Sequence, residues 1–461
     1  MTLAKSIGIR LPKPVVQFFF KGHERSLKAK ANIIASLFLK GMSILINLAL
    51  VPITLNYLNA DNYGIWLTLS SLIGWFVFFD IGLGNGLRNK FAEALAKNDK
   101  ETARVYVSTT YAILSVISIV LFLLFVLANK FLDWSKILNS APETANELSL
   151  LVIIVFGFFC LRFIFQLINT ILTADQKPAL SIFIKFVSDL LSLIIIYVLS
   201  KTTKGSLLYL GTTVSCTSVF ILATANVVFF SKSYREFIPT IKYVRFKYAK
   251  ELTSLGFHFF IIQIAAIVLF STDNMIITQL YGPSEVTPYN IAYKYFGIIL
   301  LIFSIVVQPF WSACTDAYHK NDLNWIRNIV KQLIRGWTGI VLVVLCMLLL
   351  SNGVYQLWIG NKVRVPFFLS ASMGLFVIIY CWTYIFVSFI NGVGTIRLQL
   401  YNSIFVSVLN VPLSIFLAKY INLGVIGVIL ATCICISIGA VWAPIQYLKI
   451  MNNKAKGLWA R

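Results

Sequence analysis

The sequence predicts an all-α polytopic membrane protein with twelve transmembrane helices in two six-helix lobes. Hydrophobic residues make up 59% of the 461 residues and charged residues only 12%, so a soluble globule of this size would lack polar surface. Apolar stretches that match the roughly 20-residue helix needed to cross a bilayer recur between residues 31 and 448. Polar segments separate these stretches. The length of the chain therefore predicts how many times it crosses the membrane, not how many soluble domains it contains.

Apolar runs and polar breaks give six candidate spans in each half of the chain. Those of the first half are 31–56, 63–83, 106–128, 148–172, 179–200 and 207–231. Those of the second half are 256–281, 289–313, 333–351, 365–390, 398–418 and 424–448. The longest basic connector, 232–255, separates an N-lobe (31–231) from a C-lobe (256–448), with an arm at 1–30 and a tail at 449–461. Six spans in each half indicate an internal repeat of the kind found in transporters. The alternative is that the two halves look alike by chance, because hydrophobic helical hairpins resemble one another.

The distribution of Lys and Arg predicts the orientation. Of the 39 basic residues, 28 lie in the arm, the tail and the alternate loops on the same side when Arg335, at the start of span nine, is counted with the loop before it; seven lie in the opposite loops and four lie inside spans. The positive-inside rule therefore predicts that both termini are cytoplasmic. The net charge of +22 does not indicate a nucleic-acid partner, because such binding needs basic residues gathered on one solvated face.

Sequence motifs for enzymatic chemistry are absent from the chain. There is no GxxxxGK[ST] loop for ATP, no Asp-x-Asp pair for a sugar-nucleotide metal, and no metal-ligand spacing among the seven cysteines. We therefore expect no catalytic residues, no metal and no cofactor, and transport driven by an ion gradient or by the supply of substrate. The missing catalytic cluster argues against a membrane-bound glycan polymerase or acyltransferase, and the short outer loops also argue against a polymerase.

A glycine-rich run, Asp80-Ile-Gly82-Leu-Gly84-Asn-Gly86-Leu-Arg88, begins at the end of span two and continues beyond it. It is similar to a phosphate loop, but a dinucleotide-binding loop follows a soluble strand, whereas a membrane span precedes this one. We interpret Gly82, Gly84, Gly86 and Arg88 as a cytoplasmic loop motif, in which the glycines allow a tight exit into an amphipathic surface helix. The apolar face of that helix would hold Leu87, Phe91, Ala94 and Leu95. Asn98 followed by Glu101 predicts a capping box for span three.

Seven charged residues fall inside spans, where each costs roughly 2.5–3.5 kcal/mol at mid-bilayer unless it is paired or hydrated. They are Lys40, Asp80, Arg162, Lys185, Asp189, Asp273 and Lys294. At about 1.5 Å per residue, Lys40, Arg162 and Lys185 lie about 14, 16 and 9 Å from the cytoplasmic ends of their spans. These three cations therefore lie at similar depths, between the cytoplasmic surface and the middle of the membrane, which predicts a cationic cavity for phosphate. The candidate diphosphate ligands are Lys40, Arg162, Lys185 and Lys294. The alternative is that these residues snorkel or form salt bridges that fix helix packing.

The three acids in the spans, Asp80, Asp189 and Asp273, are candidates for ion coupling or gating. Asp189 lies one helical turn after Lys185, which predicts a local pair. Asp273 and Lys294 lie near the outer ends of adjacent spans, so they are candidates to pair with each other. Arg162 and Lys40 have no partner that the sequence assigns.

Several motifs together resemble the polysaccharide-biosynthesis exporters, the Wzx-type O-antigen flippases of the MOP superfamily, which also contains the multidrug MATE exporters. The matching segments are Ser43–Leu58, Tyr63–Trp66, Asp80–Lys90, Ser271–Ile277 and Tyr289–Lys294. The resemblance implies a MATE-like, V-shaped arrangement of the two lobes in the bacterial inner membrane. It also implies transfer of an undecaprenyl-diphosphate-linked oligosaccharide, an O-antigen or capsular repeat unit, from the cytoplasmic to the periplasmic leaflet.

The same resemblance implies proton or sodium coupling without a cofactor. The partners it implies are the lipid-linked glycan, membrane lipids and the glycan polymerase machinery. The main alternative is a MATE-like exporter of cationic drugs, which would favour unpaired acids in the cavity. Four intramembrane cations against three acids favour an anionic substrate instead.

Overall fold

The computed structural model describes residues 24–80, 82–253, 264 and 271–459. Every regular element in these residues is helical. The helices of eight or more residues in the N-terminal half are α1 (Glu24–Tyr57), α2 (Ala60–Gly74), α3 (Leu83–Ala96), α4 (Lys100–Asn129), α5 (Ala145–Phe165), α6 (Leu167–Ala174), α7 (Pro178–Thr202) and α8 (Leu207–Ser231). Those of the C-terminal half are α9 (Asp273–Tyr281), α10 (Pro283–His319), α11 (Leu323–Ile359), α12 (Phe367–Val393), α13 (Arg397–Ile415) and α14 (Val425–Met451). Short 3-10 turns occupy most of the linker from 235 to 248.

The predicted class of polytopic helical membrane protein is confirmed. Within the described residues, ten helical segments are long and apolar enough to cross a membrane. The predicted second span is not one of them, because α2 ends at Gly74 and a 3-10 segment, Trp75–Asp80, replaces the expected continuous helix. The predicted seventh span, 256–281, lies largely outside the described residues, as does the arm up to residue 23. The helix that was predicted to start at residue 31 already begins at Glu24.

Side-chain caps explain where several helices begin. The side chain of Asn59 accepts a hydrogen bond from the backbone N–H of Asn62 at the start of α2, and Ser206 does the same for α8. The predicted capping box of Asn98 and Glu101 is wrong. Asp99 caps α4 by accepting from the N–H of Thr102 at 3.0 Å, because Asn98 adopts a left-handed turn, φ 57°, that ends the previous helix. Caps of this type satisfy N–H groups that have no partner inside the helix.

The glycine-rich segment forms the predicted tight turn. Gly82 has φ 78°, a left-handed conformation that glycine adopts without steric cost. The N–H of Gly84 donates to Asp80 Oδ1 at 2.8 Å, which holds the turn into α3. A Cβ on Gly86 would lie 1.9 Å from the carbonyl oxygen of Leu252, so only glycine allows this contact. The amphipathic face predicted for the helix is confirmed, since Leu87, Phe91 and Ala94 are buried and Leu95 is half-buried.

The linker between the two halves packs against the start of α4. The backbone N–H groups of Thr240 and Arg245 donate to the hydroxyls of Ser108 and Thr109, at 3.2 and 3.0 Å. Near the start of the linker, the hydroxyl of Tyr234 donates to the carboxylate of Asp175 at 2.6 Å. Burial and this carboxylate raise the pKa of Tyr234. These bonds tie the linker to the N-terminal half.

The two halves are joined at one end of the bundle, which we call the closed end. It comprises the turn at 58–59, the loop at 130–144 and the turns at 281–283 and 360–366. Three residues from the N-terminal half, Val51, Leu55 and Tyr63, belong to the main hydrophobic cluster of the C-terminal half. The halves therefore share one core at this end.

Polar contacts reinforce the closed end. The hydroxyls of Thr68 and Thr278 form a buried hydrogen bond of 2.7 Å, and Asn274 donates to Ser71 Oγ at 2.7 Å. The hydroxyl of Thr287 donates to the carbonyl of Ala60 at 2.7 Å. Buried pairs of this kind are costly to leave unmade, so separation of the halves here must exchange them for other partners.

Candidate functional site

A cavity of 720 Å³ lies between α1, α7, α10 and α12. Three lysines line it, one from each of three helices: Lys40 on α1, Lys185 on α7 and Lys294 on α10. Its other polar lining residues include Ser43, Asn47, Tyr293, Tyr380 and Tyr384. No Asp or Glu is among the lining residues in the part of the chain that the structure describes. The cavity is therefore cationic, and it brings together three of the four predicted phosphate ligands.

The lysines of the cavity differ in their partners. Lys185 Nζ lies 2.7 Å from Asp189 Oδ2, which confirms the predicted pair one turn apart. Asn47 also donates to Asp189 Oδ2, at 3.4 Å. The side chain of Lys40 makes no hydrogen bond or ion pair with any other residue that the structure describes. Lys40 therefore carries the least compensated charge in the cavity.

The predicted pair of Lys294 and Asp273 is wrong. Lys294 Nζ donates to the hydroxyl of Tyr63 at 3.0 Å and lies 5.7 Å from the centre of that ring. Asp273 instead accepts a hydrogen bond from Tyr289. The closed end brings Tyr63 of α2 to α10, and this tertiary contact replaces the ion pair that the sequence predicted.

Arg162 lines a second, smaller cavity of 380 Å³ inside the N-terminal half. Its polar neighbours there are Ser70, Gln166, Ser215 and Ser218. Its side chain forms no hydrogen bond or ion pair with a described residue, whereas its backbone carbonyl accepts from the N–H of Gln166 at 2.9 Å. Arg162 thus does not share the cavity of the three lysines.

Asp273 lies in a buried polar cluster that the sequence did not predict. Its side chain is 3% exposed; Tyr289 donates to Oδ2 at 2.5 Å, while Oδ1 has no partner. The hydroxyl of Thr432 lies near the same carboxyl, donates to the carbonyl of Val428 at 3.4 Å and accepts from Asn410 Nδ2 at 3.1 Å. Asn410 Oδ1 and Ser414 Oγ are also buried without a partner. Because these residues other than Asp273 are neutral, a search for intramembrane charges misses them.

The other predicted acids have structural partners. Asp80 holds the turn into α3, and Asp189 is bound to Lys185 and Asn47. Gly82, Gly84 and Gly86 shape the same turn and its contact with the linker, while Arg88 is exposed on α3.

Opposite the lysines of α1 and α7, an aromatic stripe runs along α12. It consists of Phe376, Tyr380 and Tyr384, which are spaced by four residues and all line the cavity. Successive ring centres are 5.9 Å apart, and the rings of Tyr380 and Tyr384 are stacked with an interplanar angle of 17°. Tyr293 of α10 lies 6.3 Å from Phe376. The spacing was visible in the sequence, but aromatic residues at this spacing inside a span are equally typical of packing.

The sequence profile described as polysaccharide biosynthesis protein matches residues 29–312. The chain belongs to this family. The family resemblance predicted from the sequence motifs is therefore confirmed. The matched region contains the turn at Gly82–Gly86 and the lysines of the cavity, whereas the aromatic stripe of this family member lies beyond it.

Two curated relatives and one solved structure extend the comparison. A "Putative O-antigen export protein" of Yersinia pseudotuberculosis is 23% identical over 365 residues, 77% of this chain and 81% of that protein. A "Putative O-antigen transporter" of Salmonella typhimurium is 24% identical over 430 residues, 89% and 94% of the two chains. An inward-facing multidrug resistance MATE transporter of the MOP superfamily covers 92% of this chain and 100% of its own, with a TM-score of 0.72 at 14% identity. The fold of this polysaccharide biosynthesis protein is thus MATE-like.

Proposed function

We propose that this protein is a flippase for an undecaprenyl-diphosphate-linked oligosaccharide, an O-antigen or capsular repeat unit. The observation that carries the proposal is the cavity lined by Lys40, Lys185 and Lys294 without an acid of its own. Ammonium groups in a membrane interior are costly, and a diphosphate that binds between them offsets that cost. The names of the relatives in Yersinia and Salmonella, which refer to O-antigen export and transport, support the same class of substrate.

The closed end supports alternating access between two lobes, the first from α1 to α8 and the second from 256 onward. In the predicted orientation, with both termini cytoplasmic in the inner membrane, the closed end faces the periplasm. The cavity then receives substrate from the cytoplasmic leaflet. Exchange of the closed-end hydrogen bonds for contacts at the cytoplasmic end releases the glycan to the periplasmic side.

A MATE-like exporter of cationic drugs is the alternative that the fold allows. Such a site needs carboxylates that face the ligand, because an uncompensated cation repels another cation. The described lining of the cavity supplies three lysines and no carboxylate. The charge of the cavity thus favours the lipid diphosphate.

Asp273 is the residue to which we assign coupling to a cation gradient. Its carboxyl is buried, retains one oxygen without a partner, and lies beside neutral oxygen atoms, which is an environment where a proton or a sodium ion compensates the charge. Asp80 and Asp189 are less suited, because the first holds a helix turn and the second is neutralised by Lys185. In the variant Asp273→Asn, we expect flipping to lose its dependence on imposed proton or sodium gradients, with Asp80→Asn as the control. Unchanged gradient dependence in Asp273→Asn would remove this assignment.

The experiment that tests the flippase proposal is reconstitution in liposomes with a lipid diphosphate oligosaccharide. Lys40→Ala is the most informative variant, because Lys40 has no described partner that its removal would orphan. Hydrogen bonds to charged groups contribute about 1.5–3 kcal/mol, so loss of one should reduce binding and initial flipping by at least about tenfold. Arg162→Ala tests whether the site extends into the second cavity, and Lys419→Ala, at an exposed position outside both cavities, is the matched control. Unchanged translocation in both Lys40→Ala and Arg162→Ala would contradict the proposal.

A further inference from the structure

The cavity has two chemically different walls. The N-terminal half contributes Lys40 and Lys185, and α12 faces them with the aromatic stripe of Phe376, Tyr380 and Tyr384. Phe376 is buried at 2% exposure, whereas Tyr380 and Tyr384 are half-buried. The two tyrosine rings therefore retain accessible surface toward the cavity, and Phe376 continues the stripe toward the closed end.

The stripe has the dimensions and chemistry of a platform for sugar rings. Its eight-residue length corresponds to about 12 Å along the helix, which exceeds the size of a single sugar ring. The face of an aromatic ring is the negative part of its quadrupole, and it attracts the weakly positive C–H groups that cover one face of a pyranose. Hydroxyl groups on the rim of the sugar remain available for polar partners such as Ser43 and Asn47 on α1.

We propose that Tyr380 and Tyr384, supported by Phe376, form a carbohydrate-stacking subsite in this cavity. The proposal rests on the flippase function, because it assigns to the same ligand a second point of attachment. The lysines bind the diphosphate, which is common to all polyprenyl-diphosphate-linked glycans, and the stripe binds the sugars nearest to it, which differ between glycans. The subsite therefore contributes selectivity for a sugar-bearing lipid over the bare lipid diphosphate.

A purely structural role for the stripe predicts a different behaviour. Rings that only fill space between α10 and α12 would affect all ligands equally, through the shape of the cavity. A stacking subsite affects only ligands that carry sugars. Two probes separate these cases: a polyprenyl diphosphate that bears an oligosaccharide, and the same polyprenyl diphosphate without sugar.

The test measures binding of both probes to the full chain in lipid nanodiscs. For Tyr384→Ala and Tyr384→Leu, we expect the affinity for the sugar-bearing probe to fall about threefold to tenfold, with no change for the bare probe. Leucine retains apolar packing volume, so Tyr384→Leu provides the measurement if the alanine variant does not fold. Tyr384→Phe should bind both probes like the original protein, because it retains the ring.

Tyr197→Ala, at an exposed position on α7 outside the cavity, is the matched control and should change neither affinity. An equal loss for both probes in Tyr384→Leu, or no loss for either, would overturn the stacking subsite. Lys40→Ala distinguishes this failure from failure of the flippase function, since it should weaken both probes whatever the tyrosines do. If Lys40→Ala weakens neither probe, the diphosphate site itself is wrong.

Discussion

Gly64→Ala is expected to open the closed end. Gly64 lies on α2 where that helix meets the start of α10, and a Cβ at this position would be 1.8 Å from the carbonyl oxygen of Pro283. Cβ atoms essentially never lie closer than 3.0 Å to another non-bonded heavy atom, so the two helices must separate by about 1.2 Å or more. Overpacking of this kind costs about 1–3 kcal/mol. This cost applies only to the conformation in which the two halves contact each other at the closed end. The equilibrium between the closed and open conformations of this end should therefore shift about 5–150-fold toward the open one.

Accessibility of the cavity from outside the cell measures this shift. Ser304→Cys places a small thiol in the lining of the cavity, in a background where the exposed Cys216 and Cys346 are replaced by alanine. A membrane-impermeant maleimide added to intact cells should label this thiol slowly in the otherwise unchanged protein. With Gly64→Ala, the labelling rate should rise at least fivefold.

Two further glycines serve as controls. Gly74, at the other end of α2, has open space around it, so Gly74→Ala should leave labelling unchanged. A Cβ on Gly205 would lie 2.1 Å from the carbonyl oxygen of Tyr57, a contact within the N-terminal half. Gly205→Ala should therefore reduce stability without opening the cavity. If Gly64→Ala labels no faster than these two variants, the closed end does not control access.

Three other substitutions test separate features of the fold. Thr68→Val removes one partner of the buried hydroxyl pair at the closed end and should shift the labelling rate in the same direction as Gly64→Ala, by roughly fivefold for about 1 kcal/mol; an unchanged rate would mean that this bond does not distinguish the two conformations. Gly86→Ala, which collides with the carbonyl of Leu252, should detach the linker and raise its rate of trypsin cleavage severalfold, and a cleavage rate like that of the original protein would contradict the close packing. Asp99→Ala should lower the thermal unfolding midpoint because α4 loses its cap, whereas Glu101→Ala should not. Equal effects of the two substitutions would instead support the capping box predicted from the sequence.

Most of the fold was predictable because hydropathy alone specifies a membrane span. Among the predicted spans that the structure describes, the second was the exception. Its apolar character continues to residue 79, yet the α-helix ends at Gly74. The segment that follows places Phe76 against Phe125 and Phe156, with ring centres 6.4 and 4.8 Å away. These rings come from other helices, so their effect on the helix end is not contained in the local pattern.

Sequence separation decided which parts of the site were predictable. Lys185 and Asp189 meet because four residues make one helical turn, and this pair follows from the sequence alone. The bond from Lys294 to Tyr63 joins residues 231 positions apart, and only the contact of α2 with α10 creates it. Depth estimates placed Arg162 beside the other cations, but depth does not specify which face of α5 it occupies. The structure assigns it to the smaller cavity.

Under the proposed function, the three lysines of the cavity are not equivalent for an incoming diphosphate. Lys40 has no competing carboxylate, whereas Lys185 must first exchange its 2.7 Å contact with Asp189. Lys294 is tied through Tyr63 to the closed end. A phosphate that binds Lys40 first, and draws Lys294 away from Tyr63 afterwards, weakens one of the contacts that hold the closed end together. Because a ligand shifts a conformational equilibrium only through unequal affinity for its states, this competition for Lys294 gives a physical link between substrate binding and opening toward the periplasm.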